Sequence, residues 1–298
     1  MAITDDLQAW WDMEEDGDAN RLDATDNSND LSVSDAGVWG RDTGKQGYAA
    51  DCELHGYSLG ITGGTGLDLQ NDWTIAGWLY GSDAGSNSMY FPIRTYCEMV
   101  LINTDGTLEF HTWEIGSPLH WTGAHIMTTT ITADWGAWHF IVATYNGTTK
   151  DKTIRIDDSA SETDTADHTD LLRAPGATPL RFLTQQNLEH RIDSIGIWDR
   201  VLDASEITFL YNGGTGRTYS DLEGQQIPGS VQGPGAAVSG SPGRVLGTSA
   251  AATGPGAALS SSMTRIDAPT IRGRQVFSRT RLSRYFDQED FEPERLDR

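Results

Sequence analysis

Two hairpin signals limit what this chain can fold into more than any other feature. CEMVLINT and TLEFHTW flank Asp105-Gly106, and WHFIVATY and TKDKTIRI flank a turn around Asn146-Gly147. Asn-Gly and Asp-Gly tolerate the positive φ that tight turns need, and the flanking runs alternate at period two, so each unit reads as two antiparallel strands. Asn146-Gly147-Thr148 is also a glycosylation sequon, which the turn accounts for without a glycan. Further strand-like runs lie at 7–13 (LQAWWDM), 31–33, 44–54 (GKQGYAADCEL), 72–81 (DWTIAGWLYG) and 179–184 (PLRFLT). In 72–81, Trp73, Ile75 and Leu79 alternate with Thr74, Ala76 and Trp78, the pattern of a half-buried strand. Roughly ten to fourteen strands with almost no helix predict an all-β fold, a two-sheet antiparallel sandwich.

The stretch 190–219, HRIDSIGIWDRVLDASEITFLYNGGTGRTY, closes this pattern. It reads as one strand, one short helix and a glycine stop. Ile195 and Ile197 share a face at period two, and Asp193 has the same parity, so a carboxylate is expected on the core side. Asp203 followed by Glu206 is an N-terminal capping pattern. Ile207, Leu210 and Tyr211 form one apolar stripe, and Gly213-Gly214 ends the helix. The helix is expected to cover a sheet edge or end.

Charge divides the 298 residues unevenly. Residues 1–218 hold 34 Asp+Glu against 12 Lys+Arg and so carry the whole net charge of -22, while 219–298 hold nine of each. So acidic a body argues against nucleic acid as a partner, since phosphate binding needs Lys and Arg. It argues equally against a face for anionic membranes. Lysine is confined to Lys45, Lys150 and Lys152 against 18 Arg, a balance that fits a high-salt proteome in which screening removes self-repulsion. An acidic marine or phage protein without salt adaptation has the same balance. Cys52 and Cys97 are too few for a disulfide framework and read as buried thiols or one bridge. No run of 18 apolar residues is present to span a membrane, and MAITDDLQAWW lacks the basic and apolar regions of a signal peptide.

Taken together, LQAWWDMEE, RLDATDNSNDLSV, GKQGYAADC, NDWTIAGWL, WHFIVATYNGTT and RIDSIGIWDRVLDASEITFLYNGGTGRTY resemble, in order and spacing, the LamG-like (laminin G-like) jelly rolls of the concanavalin A-like lectin/glucanase superfamily, as found in viral and phage structural proteins. The resemblance covers about residues 7–219, and its last motif is the most specific. It implies a sandwich of two curved antiparallel sheets, a binding role towards glycans or protein surfaces, and in many members one structural calcium ion. Asp193 matches the aspartate such proteins carry before the last core strand. A buried carboxylate must be paired or metal-bound to offset desolvation. Asp23, Asp26 and Asn29 crowd a polar loop, so with Asp193 they are the calcium candidates, although Asx residues also form turns with their own backbone. The loop does not have EF-hand spacing.

Catalysis is not expected. The glucanase relatives carry paired glutamates on one strand, about 5 Å apart for retaining chemistry, and no such Glu-x-Asp-x-x-Glu run stands on a strand here. Glu14-Glu15-Asp16-Gly17-Asp18 reads as a solvated turn. His111, His120, His125 and His139 show no zinc spacing, and no Gly-x-Ser-x-Gly elbow occurs. Sugar binding would use aromatic platforms. Trp113, Trp121 and Trp135, in a less patterned insert at 112–137, and Tyr90 are the candidates, each of which could equally be a core aromatic.

From Ser220 the composition changes. Residues 220–264 are rich in Gly, Pro, Ala and Ser and repeat GPGAAVSGS as GPGAALSSS. Such a segment cannot bury enough surface to fold alone and reads as an extended linker. Residues 265–298 form an Arg-rich arm with an acidic end. Arg265, Arg272, Arg274, Arg279, Arg281 and Arg284, interspersed with apolar residues, suit docking on acidic protein surfaces through guanidinium–carboxylate forks. The expectation is a virion structural protein of a tailed virus, of capsid-decoration, turret or fibre type. The head (1–219) would be displayed towards host glycan or protein, and the arm would anchor it to other virion proteins and to copies of itself. The alternatives are a carbohydrate-binding module of a secreted or surface protein and, less favoured, a glycoside hydrolase.

Overall fold

The computed structural model describes residues 2–33, 39–52, 58–61, 67, 69–81, 89–94, 98–115, 125–172, 180–184 and 190–227, with the backbone alone at 52, 89, 90, 93, 94, 98, 99, 183 and 184. Among these residues the strands are β1 (Leu7–Trp11), β2 (Leu31–Val33), β3 (Trp39–Thr43), β4 (Tyr48–Cys52), β5 (Ser58–Ile61), β6 (Trp73–Gly81), β7 (Met89–Arg94), β8 (Glu98–Ile102), β9 (Thr107–Thr112), β10 (His125–Thr132), β11 (Trp138–Tyr145), β12 (Asp151–Ile156), β13 (Glu162–Thr165), β14 (Arg181–Thr184) and β15 (His190–Trp198). Two short helices follow, α1 (Ala204–Tyr211) and α2 (Tyr219–Leu222). One sheet has the order β13-β12-β11-β6-β15-β4-β3, with β1 also on β15, and the other runs β10-β9-β8-β7-β14-β5-β2. All pairings between these strands are antiparallel, so the chain is the expected all-β sandwich.

Both hairpins form as the sequence predicts. β8 pairs with β9 across a turn in which Gly106 has φ +82°, and β11 pairs with β12 across Asn146–Lys150. The main core lies between the sheets, where Trp11, Trp73, Phe91, Phe110, Tyr145 and Phe182 are all but inaccessible. Each contributes on the order of 1.5–3 kcal/mol by leaving water.

β6 departs from expectation. It is buried on both faces rather than half-buried. Its second face, with Ala76 and Trp78, joins Phe140, Val142 and Trp198 to form an apolar outer surface, and Trp10, Leu202, Ile207, Leu210 and Leu222 cover it. The helix α1 therefore lies over the face of the sheet, not at an edge or end. Its N-terminus is fixed by the expected reciprocal cap: the Asp203 carboxylate accepts from the Ser205 and Glu206 amides, and Glu206 accepts from the Asp203 amide at 2.9 Å. Glu206 is 1% exposed and takes both terminal nitrogens of Arg200 at 2.7 and 2.8 Å. The packed chain continues beyond Tyr219, where the composition changes. The Tyr219 amide donates to Asp12 Oδ1 at 2.9 Å, Leu222 is fully buried, and Gln226 bridges to Ala2.

Asp193 is buried, but not on the core face. Across the pair β15–β6 it stands opposite Trp78 on the outer face, while Ile192 stands opposite Leu79 on the inner. A bulge follows at Ser194, with φ +49°, after which Ile195 and Ile197 face the core. One extra residue reverses the parity read from the sequence.

Contacts divide the chain into two units, Met1–Val238 and Ser239–Arg298. The Arg-rich arm, 265–298, lies outside the described residues.

Candidate functional site at the end of the sandwich

One end of the sandwich is built from three connections that converge on the segment 133–137 between β10 and β11. The Ala133 amide donates to Gly106 O at 2.8 Å in the β8–β9 turn, and the Gly136 amide donates to Gly81 O at 2.6 Å at the end of β6. Trp135 lies between these anchors. Its Nε1–H donates to Thr104 O at 3.2 Å, and its indole meets His190 edge-on, with ring centroids 6.0 Å apart. Its six-membered ring sits so close to Gly81 that a β-carbon there would overlap it. The half-buried indole is thus held on three sides before any ligand arrives.

His139 fastens the same segment from below. Its Nδ1 lies 2.7 Å from Asp157 Oδ2 and its Nε2 lies 2.8 Å from the Asp134 carbonyl. Both partners are acceptors, so the imidazolium, with a proton on each ring nitrogen, is the form that satisfies both contacts. Burial works against that charge, but the bond to Asp157 and its charge, together with Asp134, outweigh it and raise the pKa above the ordinary imidazole value. Asp157 Oδ1 also accepts the Phe140 amide at 2.8 Å, which ties the β12–β13 turn to the same corner.

Beside Trp135 lies a shallow recess of about 20 Å³, partly open to solvent and lined by Leu79, Ile102, Ala133 and Ala137, with Asp134 and His139 at its polar side. The walls are apolar, and the polar groups of Trp135 and His139 are already engaged. What remains is an aromatic surface next to an exposed carboxylate, Asp134. Such a site holds a ligand by stacking and by a few hydrogen bonds. His139 is committed at both nitrogens and leaves no free base.

Of the other expected binding aromatics, Trp113 is 2% exposed and stacks on His111 at 5.9 Å, so it is a packed side chain and not a platform. Trp121 and the side chain of Tyr90 lie outside the described residues, as do His120, Cys97 and the side chain of Cys52.

The residues considered for calcium fit hydrogen bonding rather than a cation. Asp23 Oδ1 accepts the amides of Trp10 and Thr25, each at 3.0 Å, and its Oδ2 accepts the Asn29 amide at 2.9 Å. Asn29 donates its side-chain amide to Gln8 O at 2.8 Å, and Asp26 is exposed. The loop is thereby pinned to β1. Asp193 Oδ2 accepts the Lys45 and Gln46 amides at 2.6 and 2.8 Å, and its Oδ1 accepts from Ser194 Oγ at 3.0 Å. Calcium requires several oxygen ligands free to converge, whereas these oxygens already receive donors. Among the described residues no three His, Cys, Asp or Glu side chains form a group that could hold a metal ion.

Sequence reasoning missed two residues. Lys152 is fully buried, and its parity with Ile154 and Ile156 on β12 is the signal that would have found it. His139 carried no spacing signal, because its partners come from two separate turns.

The fold is similar to part of several solved binding domains. The chain is similar to the binding domain of Paraclostridial Mosquitocidal Protein 1 (16% identity, TM-score 0.55, covering 71% of this chain and 53% of that one). It is likewise similar to the binding domain of botulinum neurotoxin DC, seen in complex with rat synaptotagmin II (12% identity, TM-score 0.53, 71% and 52%) and with SialylT (12% identity, TM-score 0.54, 71% and 52%). The chain spans about half the length of these structures, and at such identities the likeness is one of fold. No protein-family model and no curated protein sequence matches it.

Proposed function

We propose that the sandwich is a non-catalytic recognition module of LamG-like type that binds a surface glycan at the Trp135 end. The observation that carries this reading is the indole held ready on three sides beside a solvent-open recess. An aromatic face fixed in advance loses little entropy on binding, and it suits the apolar face of a sugar ring whose hydroxyls reach Asp134 and water. The neighbours seen with a protein and with SialylT support a recognition role. The test is binding of the full-length protein to a glycan array, repeated with Trp135→Ala. Retained binding in the variant would sink the site, and a protein-only ligand in pull-down would replace the glycan.

We further propose that the module is displayed on a virus particle through the residues that follow the packed Ile227, 228–298. The composition change at Ser220, the repeated GPGAA unit and the arginines of 265–298 in a chain with an acidic body support an assembly arm docking on acidic proteins. Removing 228–298, which spares the packed Leu222 and Ile227, then abolishes incorporation into particles and leaves the sandwich folded. A free carbohydrate-binding module predicts unchanged glycan binding and no partner for the arm.

A further inference from the structure

We infer that the edge where the two sheets meet, along β9–β10 and β12–β13, is a proton-operated latch, shut at neutral pH and opened in mild acid. β10 ends one sheet and β13 ends the other, and ionisable side chains sew the two edges together. Lys152, fully buried on β12, reaches across to donate to Phe110 O at 2.8 Å and His125 O at 2.9 Å on the opposite sheet. Glu162 of β13 accepts the amides of Thr130 and Ile131 on the free edge of β10, at 2.9 and 2.8 Å. His168 Nε2 lies 2.7 Å from Thr112 Oγ1 on β9, and its ring meets His125 at 5.9 Å. His111 lies against Glu109 at 2.8 Å. Three imidazoles and one amine therefore share one seam, two of the imidazoles 3% and 4% exposed.

The groups facing the cluster are Glu109 from β9, Glu114 after it, Glu162 and Asp164 from β13, and Asp167 beyond. Glu109, Glu114 and Asp164 are 27%, 27% and 46% exposed, so water screens their attraction, while burial bears on the bases. Burial pulls His111 below the ordinary imidazole value although Glu109 opposes it. Burial and then the Lys152 charge lower His125. Burial lowers His168, with His125 and Lys152 adding to the effect and Glu114 opposing. Burial brings Lys152 itself to about 7 against the attraction of Asp164 and Asp167.

The sign follows from linkage. Each imidazole binds its proton more weakly in the closed edge than in an opened one. The closed edge therefore keeps its full stability above the free imidazole value of 6.5 and loses it progressively as pH falls below. Lys152 is already held against its preference at neutral pH, and below about 7 it adds no further pH dependence but places a positive charge beside each new imidazolium. Glu162 is not the sensor: burial would raise its pKa, but the Thr130 and Ile131 donors prevail and hold it low.

The test is amide hydrogen exchange of the full-length protein at pH 7.5, 6 and 5, corrected for intrinsic rates. Exchange of β9, β10, β12 and β13 should accelerate by about tenfold or more between pH 7.5 and 5, while β6 and β15 stay protected. His125→Asn, the mildest change, and His168→Asn should each blunt the response. Lys152→Met should blunt it too, by relieving the repulsion on the imidazoles. Unchanged exchange at pH 5, simultaneous loss of protection in all strands, or an opening indifferent to all three substitutions would each overturn the latch.

Discussion

Replacing Asp193 with Asn isolates the cost of one buried carboxylate. Asp193 is inaccessible, and burial raises its pKa to about 7 although the Gln46 amide, Ser194 and the Lys45 amide all favour the ionised form. In the unfolded chain the group returns to 3.8. The folded state therefore holds the proton more tightly, and ionisation takes stability away as pH rises between these values. The loss is about 1.4 kcal/mol per pH unit, reaching roughly 4 kcal/mol above pH 7. Asn preserves the geometry. Its oxygen can take the place of Oδ2, which accepts both backbone amides, and its NH₂ can donate to Ser194 Oγ where Oδ1 had accepted. Urea unfolding of both proteins at pH 4 to 8 measures the difference, in which all other titrating groups cancel. Asp193→Asn should gain on the native protein steadily from pH 4 to 7 and then level off. A flat difference, or one that favours Asp as pH rises, would show that the hydrogen bonds outweigh burial and refute the reasoning. Asp193→Ala, by contrast, strands two partly buried N–H groups and should destabilise by about 1 kcal/mol or more for each.

Gly81→Ala should displace the Trp135 indole, destabilise by about 1–3 kcal/mol and weaken glycan binding in titration calorimetry; unchanged affinity would show that the indole position does not matter. Glu206→Ala leaves Arg200 without its buried partner and opens the helix cap, a loss of about 3–5 kcal/mol in urea denaturation, whereas Glu206→Gln should cost less. The excess of 34 acidic over 12 basic residues in 1–218 should make thermal stability rise steadily with potassium chloride towards molar concentrations; a melting temperature independent of salt would exclude adaptation to brine.

The parts of the fold that were legible in the sequence are those set by neighbours in the chain. Asp105-Gly106 and Asn146-Gly147 define their hairpins locally, and Asp203 with Glu206 caps α1 across a single turn. What failed depends on distant segments. The apolar cover over Trp78 is assembled from Ile3 to Trp10 at one end and Leu202 to Ile227 at the other, so β6 read as half-buried. The bulge at Ser194 was signalled only by Gly196, where the shifted register resumes, and it turned Asp193 to the opposite face. Trp135 was legible only as one candidate aromatic among several. What distinguishes it from Trp113 is the company each keeps, Thr104, Gly81 and His190 in one case and His111 in the other.

The bridge between Ala2 and Gln226 has an architectural consequence. The segments that enter and leave the sandwich meet at this bridge, and Trp198 Nε1–H donates to Ile3 O at 2.7 Å, which fixes the entering segment to β15. A unit with adjoining entry and exit behaves as a cassette. A unit cut to 2–227 can be spliced into a surface loop of an unrelated scaffold without a spacer, or its two ends can be joined and new ones cut at the exposed Asp105 turn. In either arrangement the Trp135 corner stays intact only if the cut spares Thr104 and Gly106, which hold that corner in place.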